Sequence, residues 1–296
     1  MNPWLHAFRL RTLPLAVSSI VVGSALGYFY DHFKPLVMVS ALLTAVLLQI
    51  LSNLANDLGD HEHGTDNAQR IGPERAVQSG AITPDQMKRA MFICGGLAFA
   101  SGLWLIFSAF GFTLATLVFL FIGLASIAAA IRYTYGTDPY GYSGYGDVAV
   151  FVFFGPVGVL GTAYAHMQAF EPMLILPAIA FGLLSAAVLN VNNMRDMKND
   201  AAMGKRTLVV RIGLLQAKMY QWAICCTAFA ALSAFSLIED VMPWWAFILA
   251  GIFGVAVAIL VKLFKSRPSE MDPYLKRLAL LTFVTALTFS ASLWLS

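Results

Sequence analysis

Charge is scarce in this chain. Lys, Arg, Asp and Glu make up 12% of its 296 residues, roughly half the share found in an ordinary soluble domain, while hydrophobic residues reach 59%. With a mean hydropathy of +0.72, that scarcity excludes a water-soluble globular protein and places the chain in lipid. Cysteine is scarce too. Cys94, Cys225 and Cys226 are the whole complement, without C-x2-C spacing, which argues against a redox or thiolate metal motif and leaves them as small buried hydrophobes. The net charge of +3 says little beyond the membrane topology, and no nucleic-acid partner is expected. The first apolar run lacks an A-x-A cleavage pattern and leads into another, so it reads as a mature helix and not a signal peptide.

Long apolar runs are what the chain has in quantity. Nine are long enough to cross a hydrocarbon core of about 30 Å, at approximately Leu13–Tyr30, Leu36–Asn56, Met91–Phe110, Phe112–Ile131, Val148–Ala165, Met173–Met194, Tyr220–Ile238, Trp244–Leu263 and Leu278–Ser296. Basic residues accumulate on the cytoplasmic side of membrane proteins. With the N-terminus inside, 18 of the 19 Lys and Arg residues fall on that side and only Lys34 falls outside. The expected architecture is therefore an all-α membrane protein of nine transmembrane helices, with the N-terminus cytoplasmic and the C-terminus outside. It forms one integral-membrane domain over 1–296, with cytoplasmic loops 57–90 and 195–218 capping the site.

The few charges are not scattered. Asn53-x3-Asp57-x2-Asp60-x3-Gly64, followed by Arg70-Ile71-Gly72, recurs as Asn192-x3-Asp196-x3-Asp200-x3-Gly204, followed by Arg211-Ile212-Gly213. Asn53 and Asn192, like Asp57 and Asp196, are 139 positions apart; Asp60 and Asp200, like Gly64 and Gly204, are 140 apart. This spacing predicts a duplicated four-helix unit with a ninth helix appended. Asn53, Asn56, Asp57 and Asp60 share one helical face, as do Asn192, Asp196 and Asp200. Carboxylates so close repel one another unless a cation is present, so each cluster reads as a divalent-metal site completed by its ligand.

Arg70, Arg75, Lys205 and Arg211 follow the carboxylates closely and match the charge of a diphosphate. Apolar walls then imply a hydrocarbon tail on that diphosphate. Asn53, Asn56 and Asn192 offer neutral amides to metal or to a diphosphate oxygen, although Asn53 and Asn193 suit polar contacts between helices equally well. His61 and His63 flank Glu62, but a patch rich in carboxylates fits Mg²⁺ or Mn²⁺ better than zinc. Five tyrosines, Tyr133, Tyr135, Tyr140, Tyr142 and Tyr145, crowd one loop; they read either as a shield for an allylic cation or as an interfacial belt.

Asn56-Asp57-Leu58-Gly59-Asp60 and Asp196-x3-Asp200 resemble the paired aspartate-rich motifs of the UbiA superfamily of intramembrane prenyltransferases. The usual first motif, N-D-x2-D-x3-D, would place a third aspartate where this chain has Gly64; the next aspartate is Asp66. With Arg70-Ile71-Gly72-Pro73, Pro139-Tyr140-Gly141-Tyr142 ahead of Gly146-Asp147, and the run LNVNNMRDMKNDAAMGKRTLVVRIG from Leu189 to Gly213, the pattern resembles the branch that prenylates 1,4-dihydroxy-2-naphthoate on the way to menaquinone.

The resemblance implies a nine-helix enzyme in a bacterial cytoplasmic membrane, its active site facing the cytoplasm. It implies transfer from a polyprenyl diphosphate, with loss of CO₂, to give demethylmenaquinol. It assigns Asp57, Asp60 and Asp66 to one Mg²⁺ ion and Asp196 and Asp200 to a second, with Mn²⁺ as a substitute, and Arg70, Lys205 and Arg211 to the diphosphate. Tyr133, Tyr140 and Tyr142 would stand near acceptor or cation. Asp147 would position or deprotonate the acceptor phenol, or merely cap helix 5. Two other readings stay open: a prenyltransferase for another aromatic acceptor such as 4-hydroxybenzoate, and an ion-coupled transporter. Acidic helix ends with basic loops on the same side suit a surface-facing enzyme pocket better than a transporter's midplane site.

Overall fold

The computed structural model describes residues 2–67 and 71–296. Arg70, expected on the diphosphate, lies outside the described residues. Among those residues nine helical spans are long and apolar enough to cross a membrane: Pro3–Phe29, Pro35–Glu62, Pro84–Phe110, Leu114–Arg132, Gly146–Met167, Pro172–Ala202, Leu214–Ile238, Pro243–Lys265 and Asp272–Leu295. They are numbered spans 1 to 9. The chain is a multi-pass, all-helical membrane protein, as expected of a backbone that must satisfy its own hydrogen bonds in lipid.

The helix ends differ from the hydropathy boundaries where it matters most. Span 2 runs past Asn56 to Glu62, and span 6 runs past Met194 to Ala202. Asp57, Asp60, Asp196 and Asp200 therefore stand on the last helical turns and not in loops that cap the site. A fall in hydropathy does not stop a helix; a left-handed residue does. Both helices end in the same cap, with Gly64 at φ +72° and Gly204 at φ +74°. The amides of Thr65 and Lys205 donate to the carbonyls of Asp60 and Asp200, each at 2.8 Å, and those of Gly64 and Gly204 donate to His61 and Ala201 at 3.0 and 3.3 Å. These are paired Schellman motifs.

The shared cap fixes the register between the two helices at 140. Because each runs unbroken back from its glycine, Asp196 takes the place of Asn56, and Asn193 that of Asn53. The 139-residue match of Asp57 with Asp196 does not hold in space.

The duplicated halves do not pack as separate units. Span 1 lies most closely against span 9 and against span 5, so it joins the large core built from spans 5 to 9, with Leu26, Phe181, Phe235, Trp245 and Phe289 at its centre. A smaller core gathers Leu51, Leu54, Leu58 and Met87 of spans 2 and 3 with Val77 and Ile82 of the segment between them. Span 5 is wound as a π-helix from Phe153 to Leu160 around Pro156, and Gly155 and Gly158 bring its backbone against Ala178 and Ser19, the close approach that small residues allow in membranes. Cys94 and Cys225 are buried as expected; Cys226 is not, and is exposed on the outer face of span 7.

Gly59 lays the loop after span 4 across the end of span 2. A Cβ there would run into the Thr134 carbonyl, and Thr134 itself donates to the Ala55 carbonyl at 3.1 Å. Gly59→Ala is expected to destabilise the protein by about 1–3 kcal/mol through overpacking, measured as a lower thermal midpoint in detergent. An unchanged midpoint would mean that this loop does not rest on span 2.

Candidate active site at the ends of spans 2 and 6

The polar stripe on span 2 divides by partner. Both Asp57 oxygens accept backbone N–H groups, from Ala76 and Val77 at 3.1 Å each, which folds the segment after Ile71 back against the helix. Asp60, one turn later, accepts from the Tyr142 hydroxyl at 2.9 Å and from Lys205 Nζ at 3.2 Å. The Tyr142 hydroxyl also meets Thr65 Oγ1 at 2.6 Å, and its ring centroid lies 4.8 Å from Lys205 Nζ. Burial works against the Lys205 ammonium, but the carboxylates of Asp60 and Asp200 outweigh it and hold the pKa above the ordinary lysine range. Asn199 donates to the Thr65 carbonyl at 2.8 Å. The two acidic helix ends thus touch, with a lysine at the seam. Asp66 pairs with Arg75 at 3.6 Å on the same side.

The second motif is held differently. Arg195, 1% exposed, donates to both oxygens of Asp196 at 2.9 and 2.6 Å, to Asp272 at the start of span 9 at 2.5 Å, and to Asn192 Oδ1 at 2.9 Å. As a sequence element Arg195 counted only among the basic residues of the cytoplasmic side, and Asp272 had no role. A guanidinium can be this deeply buried only with such partners. Asp60, Asp66 and Asp196 are thus each paired with a cation of the chain itself.

Asn53 donates to the Phe8 carbonyl and to Thr12 Oγ1, each at 2.9 Å, and so pins the N-terminal segment instead of facing a diphosphate. That segment carries Arg9 in the left-handed region at φ 48°, its charge within electrostatic reach of Asp60. The motif spacing did not point to Arg9, which Asn53 brings across span 2 with the N-terminal segment.

The tyrosines separate into roles. Tyr142 is in the site, and Tyr133 lies under Gly141 and Gly146. Burial and the negative charges of Asp147, Asp60 and Asp200 keep the Tyr133 phenol neutral. Tyr140 commits its hydroxyl to the Ala129 carbonyl at 2.9 Å, and burial pushes its pKa up to about 12. Tyr145 is 61% exposed and outside the group. Asp147, 5% exposed, caps nothing: neither oxygen has a hydrogen-bond partner from another residue. Arg211 is exposed and holds the Ser143 carbonyl at 2.5 Å, while the Arg206 amide donates to Tyr142 at 2.9 Å; the 203–213 segment straps the tyrosine loop in place.

Among the described residues no three His, Cys, Asp or Glu side chains converge closely enough to hold a metal ion alone. Asn56 Oδ1 is nonetheless buried without a partner, on the same stripe as Asp60. A set of one amide and a few carboxylate oxygens fits a hard divalent ion that takes one or two protein carboxylates and completes its shell with phosphate oxygens. His63 gives Nδ1 to the Gly59 carbonyl at 2.8 Å, and its ring centroid lies 4.8 Å from that of Tyr142.

The profile of the UbiA prenyltransferase family matches residues 16–281. The chain is 46% identical, over 295 residues, to the 1,4-dihydroxy-2-naphthoate octaprenyltransferase of Escherichia coli (strain K12), covering 99% of this chain and 95% of that one. A UbiA homolog from Aeropyrum pernix K1, solved in its apo form, matches with a TM-score of 0.71 at 16% identity, over 96% of this chain and 97% of that one. A UbiA homolog from Archaeoglobus fulgidus bound to DMAPP and Mg²⁺ matches with a TM-score of 0.59 at 14% identity, over 98% and 99%. At such identities the two structures speak for the fold.

Proposed function

Because the chain belongs to the UbiA prenyltransferase family, we propose that its site transfers a polyprenyl group from a polyprenyl diphosphate to 1,4-dihydroxy-2-naphthoate, releasing CO₂ and diphosphate and giving demethylmenaquinol. The observation that carries this reading is the meeting of two acidic helix ends around Lys205, in a chain 46% identical to an enzyme named for that acceptor. Mg²⁺, as two ions or with Mn²⁺ in its place, would be held by Asp60, Asp66 and Asn56 on one side and Asp200 on the other, with Asp57 and Asp196 fixing the frames behind them. When bound, the metal supplies positive charge to the leaving diphosphate.

The chain's own residues do the rest. Lys205, Arg75 and Arg9 meet the charge that grows on the diphosphate as the allylic C–O bond breaks. The rings of Tyr133 and Tyr142 keep water from the cationic prenyl carbon. Asp147 accepts the acceptor's phenol proton, which raises the electron density of the ring that attacks. Carboxylate loss then restores aromaticity. The basic residues around the site favour the cytoplasmic side of a bacterial cytoplasmic membrane, and the same count supports an N-terminus inside and a C-terminus outside, with 1–296 read as one catalytic domain.

The test is a detergent assay with carboxyl-labelled 1,4-dihydroxy-2-naphthoate, a polyprenyl diphosphate, and Mg²⁺ supplied or chelated. Mg²⁺-dependent release of labelled CO₂ with a prenylated naphthoquinol is the expected result. Prenylation of 4-hydroxybenzoate alone would refute the acceptor while keeping the chemistry. In the same assay Asp147→Asn is expected to lower kcat by about 10²–10⁴-fold, the usual contribution of a general base, with KM for the prenyl donor little changed. A rise in donor KM at unchanged kcat would assign Asp147 to the diphosphate instead.

A further inference from the structure

Lys205 stands where the two acidic ends meet. Its backbone amide is bonded to the Asp200 carbonyl at 2.8 Å through the cap of span 6, while its side chain crosses to Asp60 of span 2 at 3.2 Å. The chain is thereby built so that the second motif delivers a cation to the first. Tyr142 holds the arrangement from two directions, its hydroxyl on Asp60 at 2.9 Å and its ring 4.8 Å from the ammonium. Only 12% of the lysine side chain is exposed, so the ammonium has given up most of its water for these partners.

A divalent ion drawn to Asp60 would meet that ammonium at close range, where like charges repel strongly in a site of low dielectric. The ammonium must move, yet a buried cation leaving its carboxylate needs another anion. A diphosphate oxygen is such an anion. Resting on the prenyl-diphosphate reading above, we propose that Lys205 competes with a divalent ion for Asp60, and that the site therefore admits the ion only together with a diphosphate, so that the donor enters as its metal complex. Metal and anion then help one another to bind, and by linkage the help is reciprocal.

The test uses the full chain in detergent with Mn²⁺ as a paramagnetic probe, free Mn²⁺ being read by its resonance signal with and without inorganic pyrophosphate. Protein-free controls account for the Mn²⁺–pyrophosphate complex. For the unmodified protein, pyrophosphate is expected to tighten Mn²⁺ retention at least tenfold. Lys205→Met is expected to bind Mn²⁺ alone at least tenfold more tightly than the unmodified protein and to lose most of that coupling. Equal Mn²⁺ affinity in the two proteins would overturn the proposal. So would Mn²⁺ binding to the unmodified protein that is equally tight with and without pyrophosphate, a measurement that decides the matter even if Lys205→Met fails to fold. If neither protein retained Mn²⁺ even with pyrophosphate, the metal-dependent reading itself would fall, and with it this one.

Discussion

Asp60→Asn is expected to lower kcat/KM for the prenyl diphosphate by about a thousandfold while the protein stays folded. Asparagine keeps the shape of the side chain and can still accept from Tyr142, now at 2.9 Å from Asp60. What it loses is charge. Lys205 then has no carboxylate at 3.2 Å, and the hard oxygen expected to meet metal becomes a weaker amide donor. Removing one preorganised electrostatic contact from a water-poor site typically costs about 10²–10³-fold, and here one substitution disturbs both metal and lysine. Prenyl transfer measured beside thermal unfolding in detergent checks this; turnover within tenfold of the unmodified protein would take Asp60 out of the chemistry. Asp57→Asn provides the contrast. Because Asp57 is bonded to the Ala76 and Val77 amides, its loss should appear first in stability and only secondarily in turnover.

Arg195→Met should destabilise the protein by about 3–5 kcal/mol, the range for breaking one side of a buried ion pair. The guanidinium makes four hydrogen bonds, to both Asp196 oxygens, Asp272 and Asn192. Methionine fills much of its volume but leaves Asp196 charged and buried. The double variant Arg195→Met with Asp196→Leu removes both charges and should recover most of the loss, since an apolar pair of similar size is often as stable as the ion pair. Unfolding of both variants in the same detergent is the check. A single variant no weaker than a surface substitution, or a double variant weaker than the single, would show that the pair does not hold span 6 as described.

Hydropathy and the positive-inside count made the nine spans legible, because the cost of unpaired backbone in lipid leaves helices little alternative. The repeated Gly64 and Gly204 were legible as well, and they turn out to set both helix ends. What spacing could not convey is direction. One residue along a helix turns a side chain by about 100°, so Asp57 and Asp196, alike in pattern, point differently relative to their caps, one into backbone amides and the other into a guanidinium. Asp272 was invisible for another reason: it meets Arg195 from the start of span 9, 77 positions further along the chain. Asn53, read from the sequence as either a diphosphate contact or a polar contact between helices, is bonded to Phe8 and Thr12.

That Asp57, Asp60, Asp66 and Asp196 all find partners within the chain also bears on how the protein comes into being. Each of these carboxylates already has an amide, a lysine or an arginine of the same chain as partner, so the helices can enter the bilayer and dock without waiting for an ion, unlike small domains whose folding is the binding of their metal. Biogenesis and turnover are thereby uncoupled. A cell starved of divalent ions would accumulate intact, idle protein in its membrane, and returning the ion would restore activity without new synthesis.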